Sequence, residues 1–360
     1  MSTRLDGFLL AARDAGASDL QLSSDAVPWM RIEGSLVRLP ESALEVEEVN
    51  SFTAELAELA GVAPGLDVDF SIQTETYGRF RVNLHHHDRG PGISLKCVPQ
   101  EIPTLASLNL PESLEELTWY RTGLVLVTGP AGCGKSSTLA ALLQSINQTR
   151  AEHVITIEEP IEFVFENDKC NVTQREVGRH TDSFPLALRA ALREDPDVIM
   201  VAELRDLAAI RTAIVAAETG HLVLATLHTR DAASTINRVI DAFPPNEQDQ
   251  IKTMLSASLR TVICQQLLPR KDPSEDGGRR VPAYEILHVT PAVANLIRDG
   301  KTHVLAGQMQ LGRKLGMIDL DTRLLQMVDE GLIDVKTARQ HARSPDRFGG
   351  DRFGGDRFDQ

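Results

Sequence analysis

The chain has 360 residues, enough for about two domains, and its composition of 42% hydrophobic and 24% charged residues is that of an ordinary globular protein. The net charge of −14 disfavours the broad basic face that nucleic-acid binding requires, so we expect no nucleic-acid partner. The sequence has no apolar run long enough to cross a bilayer, and we expect no membrane insertion. Its four scattered cysteines are typical of reduced thiols in a cytoplasmic protein.

The first hundred residues alternate between short apolar segments and turns. Residues 3–15 are predicted to form a helix, and the alternating segments 29–32 and 79–84 are predicted to form strands. Residues 1–98 are therefore expected to form a small α+β domain. Prolines punctuate residues 99–118 in the way typical of a linker.

The second part of the chain, residues 119–343, has the pattern of an α/β domain. Apolar segments alternate with helical patterns up to about residue 230, which predicts a mostly parallel sheet covered by helices. Residues 246–340 are predicted to be helical, including an amphipathic segment at 254–263. The final residues 344–360 repeat the unit D-R-F-G-G, whose glycines and alternating charges predict a disordered tail.

The most specific motif is a phosphate-binding loop, because residues 129–136 match G-x-x-x-x-G-K-[ST] at every fixed position. An apolar strand precedes the loop and a helical pattern follows it, which is the context that the motif requires. Its backbone N–H groups and the helix N-terminus are expected to surround a nucleoside triphosphate. Lys135 is expected to reach the β- and γ-phosphates, and Ser136 to hold Mg²⁺. The predicted nucleotide-binding residues are Gly129, Pro130, Ala131, Gly132, Cys133, Gly134, Lys135, Ser136 and Ser137. Cys133 contributes its backbone, and its thiol is expected to be open to alkylation.

Three further strand-like segments are flanked by candidate catalytic residues. Ligands of open α/β sheets bind outside the carboxyl ends of the strands, so we expect these residues to converge. They are Glu158 and Glu162 after the first segment, Glu203 after the second, and His221 and His228 around the third.

Each of these residues has an expected role in hydrolysis. Glu203 has the Walker B position and is expected to act on Mg²⁺ through water. Glu158 and Glu162 both remain candidates for the general base, and Pro160 between them disfavours a continuous helix. His228 is expected to sense the γ-phosphate.

At these motifs the chain resembles the PilT family of type IV pilus retraction ATPases, within the secretion-ATPase superfamily. The resemblance runs from about residue 3 to residue 341. Its most specific parts are the phosphate loop, the segment 157–163 (similar to the family's Asp box), the segments 191–197 and 201–206 (Walker B region), and the segments 219–223 and 226–229 (His box). The segments 17–23 and 79–83 are similar to the family's PAS-like N-terminal domain.

The resemblance implies a fold, an activity and an assembly. It implies a PAS-like domain followed by a RecA-like ATPase domain, with ATP and Mg²⁺ bound between subunits of a homohexamer. By family position, Glu162 becomes the preferred general base, Glu158 a supporting acid, and His221 and His228 the His-box residues. Arg79, Arg81 and Arg89 lie in the region whose arginines reach the nucleotide across subunits in the family, and the resemblance does not select one of the three.

The resemblance also implies a location and partners. The expected location is the cytoplasmic side of the inner membrane, at the base of the pilus machine. The expected partners are the platform protein of that machine and, in the alternative of an accessory role, a related retraction ATPase.

Departures from the family pattern keep alternatives open. Ala202 replaces the glycine before the Walker B glutamate, and Ala294 replaces the first arginine of the C-terminal A-I-R-N-L-I-R-E element. The alternatives to a retraction motor are an accessory retraction paralogue, a pilus-assembly or type II secretion ATPase, and a weakly hydrolysing regulatory module. The sequence lacks the larger N-terminal region and four-cysteine insert common in assembly and secretion ATPases, which favours the retraction branch.

Overall fold

The structure, a computed structural model, describes residues 3–32, 34–63, 65–74, 76–98, 101–273 and 278–349. The chain divides into two compact units, and one short segment that interrupts the sequence of the second unit belongs to the first. The first unit consists of Met1–Ile102 and Pro160–Val164, and the second of Pro103–Glu159 and Phe165–Gln360.

The first unit is an antiparallel sheet with two helices packed on one face. Its elements are α1 (Thr3–Asp14), β1 (Asp19–Ser23), β2 (Trp29–Ile32), β3 (Ser35–Arg38), α2 (Val46–Ala60), β4 (Val68–Thr74), β5 (Gly78–His87) and β6 (Gly90–Val98). The strand order is β3-β2-β1-β6-β5-β4. Along β5, Phe80, Val82 and Leu84 are buried with the helices, so the intervening Arg79 and Arg81 lie on the opposite face.

The second unit is built on a seven-stranded sheet. Its elements are β7 (Gly123–Thr128), α3 (Lys135–Thr149), β8 (His153–Glu158), β9 (Asn171–Glu176), α4 (Phe184–Ala191), β10 (Val198–Val201), α5 (Leu207–Glu218), β11 (Leu222–Leu227), α6 (Ala232–Asp241), α7 (Gln248–Ser258), β12 (Leu259–Pro269), β13 (Arg280–His288), α8 (Pro291–Arg298), α9 (Leu305–Leu311), α10 (Leu320–Asp329) and α11 (Val335–His341). Short 3-10 helices lie at Glu112–Trp119, Thr302–Val304, Arg313–Leu315 and Pro345–Phe348.

The sheet order β13-β12-β7-β11-β10-β8-β9 explains how distant segments meet. All neighbouring strands are parallel except β12 and β13, which pair antiparallel. The central strands β7, β10 and β11 are buried throughout, as apolar strands covered on both faces must be. The predicted α/β fold class is confirmed.

The prediction of helix throughout 246–340 is wrong for β12 and β13. Helix α7 ends at Ser258, and the chain enters the sheet at Leu259. The segment 259–264 is mostly apolar and contains three β-branched residues, and β12 lies between β7 and β13. Periodicity cannot separate such a run from a buried helix, whereas β-branched side chains fit a covered strand better.

Two further segments differ from the sequence expectation. Residues 103–118, expected to be a linker, belong to the second unit and bury a row of leucines: Leu105, Leu110, Leu114 and Leu117. The tail, expected to be disordered from residue 344, begins with an ordered turn, since Pro345–Phe348 is helical and Phe348 is buried in an apolar cluster. The last residues of the tail, 350–360, lie outside the described residues.

The longest helices of the described residues, α2 and α3, contain 15 residues each. A helix that spans a bilayer needs about 20 predominantly apolar residues. Within the described ranges, none of the helices has both the length and the apolar character to cross a membrane.

Candidate nucleotide site

The phosphate loop connects β7 to α3, and its glycines occupy positions that other residues fit poorly. Gly129 has φ +141°, and a Cβ atom on it would lie 2.2 Å from the carbonyl oxygen of Gln265 on β12. Gly132 and Gly134 have φ values of 73° and 91°, in the left-handed region that favours glycine. Gly134 is also the residue from which α3 begins. The backbone therefore turns tightly and ends at a helix N-terminus, where anions bind.

Lys135 is held inside this turn. Its Nζ donates to the carbonyl oxygens of Gly129 and Pro130, both at 3.0 Å, and only 9% of the residue is exposed. Nζ also lies 3.4 Å from Nδ1 of His228, the residue that follows β11. The ammonium group is thus folded back over the loop and faces the end of the neighbouring strand.

His228 connects Lys135 to Glu203. Its Nε2 lies 3.2 Å from Oε1 of Glu203, which follows β10. Because an ammonium group only donates, Nδ1 must accept from Lys135, and Nε2–H then donates to the carboxylate. The hydrogen bonds therefore assign the neutral Nε2–H tautomer to His228.

Arg205 extends this contact to the end of β8. Its Nε donates to Oε2 of Glu203 at 2.9 Å, and its Nη1 forms a short ion pair with Glu159. The hydrogen bond to Glu203 raises the pKa of the Arg205 guanidinium above its ordinary value, against the opposing effect of burial. Arg205 thereby joins Glu203 to Glu159.

We call Lys135, His228, Glu203, Arg205 and Glu159 the strand-end network. Its members follow β7, β11, β10 and β8, which are consecutive neighbours in the sheet. Because these strands are parallel, their carboxyl ends share one edge, where ligands of such sheets bind. The predicted convergence is therefore observed for Lys135, Glu203 and His228.

Glu158 is bonded within the sheet. It is the last residue of β8, it is 4% exposed, and its Oε1 accepts from Thr156 Oγ1 at 2.6 Å and from Gln174 Nε2 at 3.0 Å. Gln174 lies on the adjacent strand β9. These bonds hold the Glu158 carboxylate between two strands.

Glu162 lies in Pro160–Val164, which groups with the first unit. Its Oε1 is 3.7 Å from Nζ of Lys96 on β6. Lys96 stands opposite Arg81 in the β5–β6 register, so the two side chains share the sheet face that the helices leave uncovered. Glu162 thus reaches the face that also carries Arg79 and Arg81.

Arg89 lies in the turn between β5 and β6, where its backbone N–H donates to His87 Nδ1 at 3.2 Å. Arg81 lies within β5 and pairs at 4.0 Å with Asp69 of β4. The three candidate arginines therefore do not form one cluster: Arg79 and Arg81 share a face, whereas Arg89 lies at the end of the hairpin.

His221 is not brought to the nucleotide edge of its own chain. It precedes β11, its backbone oxygen accepts from Gly123 at the start of β7, and its Nδ1 bonds the Ala216 carbonyl at 2.9 Å. The amino ends of parallel strands lie at the opposite edge of the sheet from the phosphate loop. The expectation that both histidines flank one site is met only by His228.

Ser136 and Glu203 are the two residues that would hold Mg²⁺, an ion that commonly takes few ligands from the protein. Ser136 is exposed at the start of α3, and Glu203 is half-buried at the neighbouring strand end. The described residues contain no group of three His, Cys, Asp or Glu side chains that would form a protein-only metal site. Mg²⁺ is commonly bound by one or two protein oxygens together with substrate phosphates and waters, and Ser136 and Glu203 fit this arrangement.

Cys133 is not open to reagents as expected. It is 3% exposed, and burial raises the pKa of its thiol above the ordinary value although Lys135 opposes the shift. A buried neutral thiol is a poor nucleophile. Its backbone oxygen accepts a hydrogen bond at 2.8 Å from Gln265 Nε2.

Gln265 is a site residue that the sequence reasoning missed. Its side chain is buried, donates to the Cys133 carbonyl and accepts from Thr138 Oγ1 at 2.9 Å. It therefore fixes both the loop and the first turn of α3 to β12. No signal in the sequence marks it, since it lies 132 positions after Cys133.

Residues 105–336 match the protein family described as Type II/IV secretion system protein. The type IV pilus retractation ATPase PilT of Pseudomonas aeruginosa is 45% identical over 336 residues, which cover 92% of this chain and 96% of that protein. A twitching motility protein of Neisseria gonorrhoeae is 42% identical over 320 residues, 88% of this chain and 84% of that one. The crystal structure of the pilus retraction motor PilT with bound ADP is 41% identical, with a TM-score of 0.82, and covers 94% of this chain and 96% of that chain.

The first prediction concerns Gln265. Gln265→Met keeps the side-chain length but leaves the Cys133 carbonyl without its buried donor, which costs about 1–3 kcal/mol. If half of that cost falls on the loop geometry needed for binding, the Kd for ATP rises roughly two- to tenfold. Calorimetric titration of the purified protein with ATP measures it.

The matched control for this variant is Gln266→Met. The Gln266 amide bonds His341 at 3.1 Å instead of the loop, so this variant should bind ATP with nearly unchanged affinity. Equal affinities in the two variants would show that Gln265 does not position the loop.

The second prediction concerns Cys133. Because the pKa of its thiol is raised, iodoacetamide should label it slowly at pH 7.5, and the rate should increase as the pH rises towards that pKa. Peptide mass spectrometry after timed labelling measures the rate, with the urea-unfolded protein as the reference. Labelling as fast as in the unfolded protein would contradict the burial.

Proposed function

Because the chain belongs to the Type II/IV secretion system protein family, we propose that it is a hexameric ATPase motor whose hydrolysis of ATP drives type IV pilus retraction. The observation that carries this proposal is the strand-end network beside a complete phosphate loop. The names of the relatives, a pilus retractation ATPase and a twitching motility protein, support the direction of the motor.

The first step of the proposed mechanism is the release of Lys135 from the loop carbonyls. A triphosphate in the loop offers Nζ stronger, charged acceptors than the carbonyls of Gly129 and Pro130. As Lys135 moves to the phosphates, His228 loses the donor to its Nδ1. His228 and Glu203 are then free to rearrange, so the network responds to the arrival of the nucleotide.

The remaining side chains supply charge and a proton acceptor. Bound Mg²⁺ would neutralise charge on the phosphate oxygens, and Ser136 and Glu203 are the residues that would hold it. Arg205 holds one carboxylate oxygen of Glu203 and so fixes its orientation. The tight loop and the network together place positive and negative groups where charge changes during phosphoryl transfer.

Glu162 is the general base in this proposal. Of the two candidates, Glu158 is the weaker because its buried carboxylate is already bonded to Thr156 and Gln174 within the sheet. Glu162 is more exposed and is paired with Lys96 at 3.7 Å, a distance that a small movement would release. Glu158 then supports the strand end from which the Asp-box segment continues.

In the hexamer, we place the nucleotide between the ATPase domain of one subunit and the first domain of another. Arg79 and Arg81, on the face of the antiparallel sheet opposite the helices, and Arg89 at its hairpin are the cationic groups proposed to reach the phosphates across that interface. Such a head-to-tail interface couples the nucleotide state of one site to its neighbour. The proposed location is the cytoplasmic face of the inner membrane, against the platform protein of the pilus machine.

The third prediction separates the two glutamates. Glu162→Gln should lower kcat for ATP roughly 10²- to 10⁴-fold, the contribution typical of a general base, while ATP still binds. Glu158→Gln should lower it much less, because an amide oxygen can still accept from Thr156 and Gln174. Phosphate release and ATP titration measure the two quantities.

Lys135→Ala is the reference for complete loss of ATP turnover, since it removes the ammonium group that is expected to contact the phosphates. Normal turnover in Lys135→Ala would refute the nucleotide site itself. A normal kcat in Glu162→Gln together with a large loss in Glu158→Gln would reverse the assignment of the base.

The fourth prediction concerns the cell. Deletion of the gene should leave pili that extend and persist without retracting, and the wild-type gene but not the Lys135→Ala variant should restore retraction. Fluorescence microscopy of labelled pili measures both events. Loss of pili would indicate an assembly ATPase, and retraction that continues through another ATPase would indicate the accessory role that Ala294 keeps open.

A further inference from the structure

The C-terminal repeat contains three copies of the triplet D-R-F, and the structure places the first copy on the second unit. The copies are residues 346–348, 351–353 and 356–358, each followed or preceded by a Gly-Gly pair. Phe348 of the first copy is 3% exposed. A segment whose composition predicts disorder therefore begins with a buried aromatic ring.

The ring and its arginine meet complementary surfaces. Phe348 is buried in an apolar cluster that includes Val281, Leu320, Leu324 and Ala338. The Nη1 atom of Arg347 lies 3.4 Å from Asp319 Oδ1 and 3.8 Å from Asp321 Oδ2. We call this acidic pair and the apolar cluster beside it the socket.

The chain is anchored just before the first copy. Asp321 accepts from the backbone N–H groups of Arg343 and Ser344, at 2.8 and 3.0 Å. Arg343 also pairs at 2.7 Å with the buried Glu285. The position at which the tail enters the socket is therefore fixed independently of which triplet follows.

We infer that the socket is a binding site for the triplet D-R-F, and that the second and third copies of the same chain can occupy it in place of the first. The groups that bind, a guanidinium and a phenyl ring at adjacent positions, are identical in all three copies. When the second copy occupies the socket, residues 345–350 form a loop closed at Ser344. The cost of closing a loop grows only with the logarithm of its length, and two glycines in this loop remove steric restriction. The tail therefore has three docking registers, of which the first has the shortest loop.

The repeat itself supplies a readout of the register, because each copy contains one arginine and hence one trypsin site. Docking should protect the arginine of the copy in the socket. In the wild-type protein trypsin should cut after Arg347 more slowly than after Arg352. Burial of the Phe348 ring stabilises the docked state, in which Arg347 is protected, so the two cleavage rates should differ by about tenfold or more. Brief trypsin treatment of the full-length protein and mass spectrometry of the released peptides measure the ratio.

In Phe348→Ala the first copy loses its ring, so the second copy should take the socket. Protection should then move from Arg347 to Arg352, and the melting temperature should stay within about 2 °C of the wild type. The variant with all three phenylalanines replaced by alanine should lose protection at every tail arginine and melt at a clearly lower temperature. The control with Phe353 and Phe358 replaced should behave as the wild type, because the first copy is intact.

Several results would overturn this inference. Equal cutting after Arg347 and Arg352 in the wild type would show that the first copy does not dock in solution. Phe348→Ala that melts or fails to fold like the triple variant would show that the other copies cannot replace it. Protection that depends on protein concentration would show that the socket takes the tail of a second chain instead of its own.

Discussion

The approach of Gly129 to the backbone of β12 is the contact on which the nucleotide site depends. The loop leaves β7 at a point where a Cβ atom would lie 2.2 Å from the Gln265 carbonyl, so the chain can turn there only without a side chain. The Gln265 side chain then bonds the loop at Cys133 and the helix at Thr138. One residue of a neighbouring strand thus sets where the loop begins, where it passes and where α3 starts.

The parallel strands of the sheet bring the other residues of the site to this loop. With β7 in place, β11, β10 and β8 follow as consecutive neighbours, and their carboxyl ends arrive at the edge where the loop turns. Opposite charges alternate across these ends from Lys135 to Glu159, with a neutral imidazole between the first two. Each such pair at a half-exposed edge contributes little to the free energy of unfolding. The alternating charges are therefore better explained by the need to keep these side chains oriented near a charged ligand than by a contribution to the stability of the fold.

The sequence predicted the parts of this site whose signal is local. The phosphate loop is a contiguous motif, and Glu203 and His228 lie within two residues of the carboxyl ends of apolar strands, so strand direction places them at the correct edge. His221 directly precedes its strand, and the same rule assigns it to the opposite edge. The sequence pattern groups the two histidines because both flank the same strand, whereas strand polarity separates them within one chain.

The parts that escaped prediction depend on partners distant in sequence. The Glu158 carboxylate is held by Gln174, and the choice of Arg205 and Glu159 as partners depends on the order of β8, β10 and β11 in the sheet. The strand β12 was mistaken for helix because a buried apolar run has the same composition in either structure. Gln265, which lies on that strand, was therefore missed for two reasons: its element was misassigned, and its partner lies more than a hundred positions away.

The C-terminal helices are tied to the nucleotide edge through one buried carboxylate. Glu285 of β13 is 1% exposed and accepts from the backbone N–H groups of Ala232 and Leu320, the first residues of α6 and α10. Helix N-termini carry partial positive charge, so these two ends and the paired Arg343 offset the cost of burying the carboxylate. Helix α6 begins four residues after His228, so a displacement of His228 that carries α6 with it must strain or break the bond at Ala232. Glu285 therefore joins α6, which begins just after His228, to α10 and to Arg343, so a change at His228 has a covalent and hydrogen-bonded route to the C-terminal end of the domain.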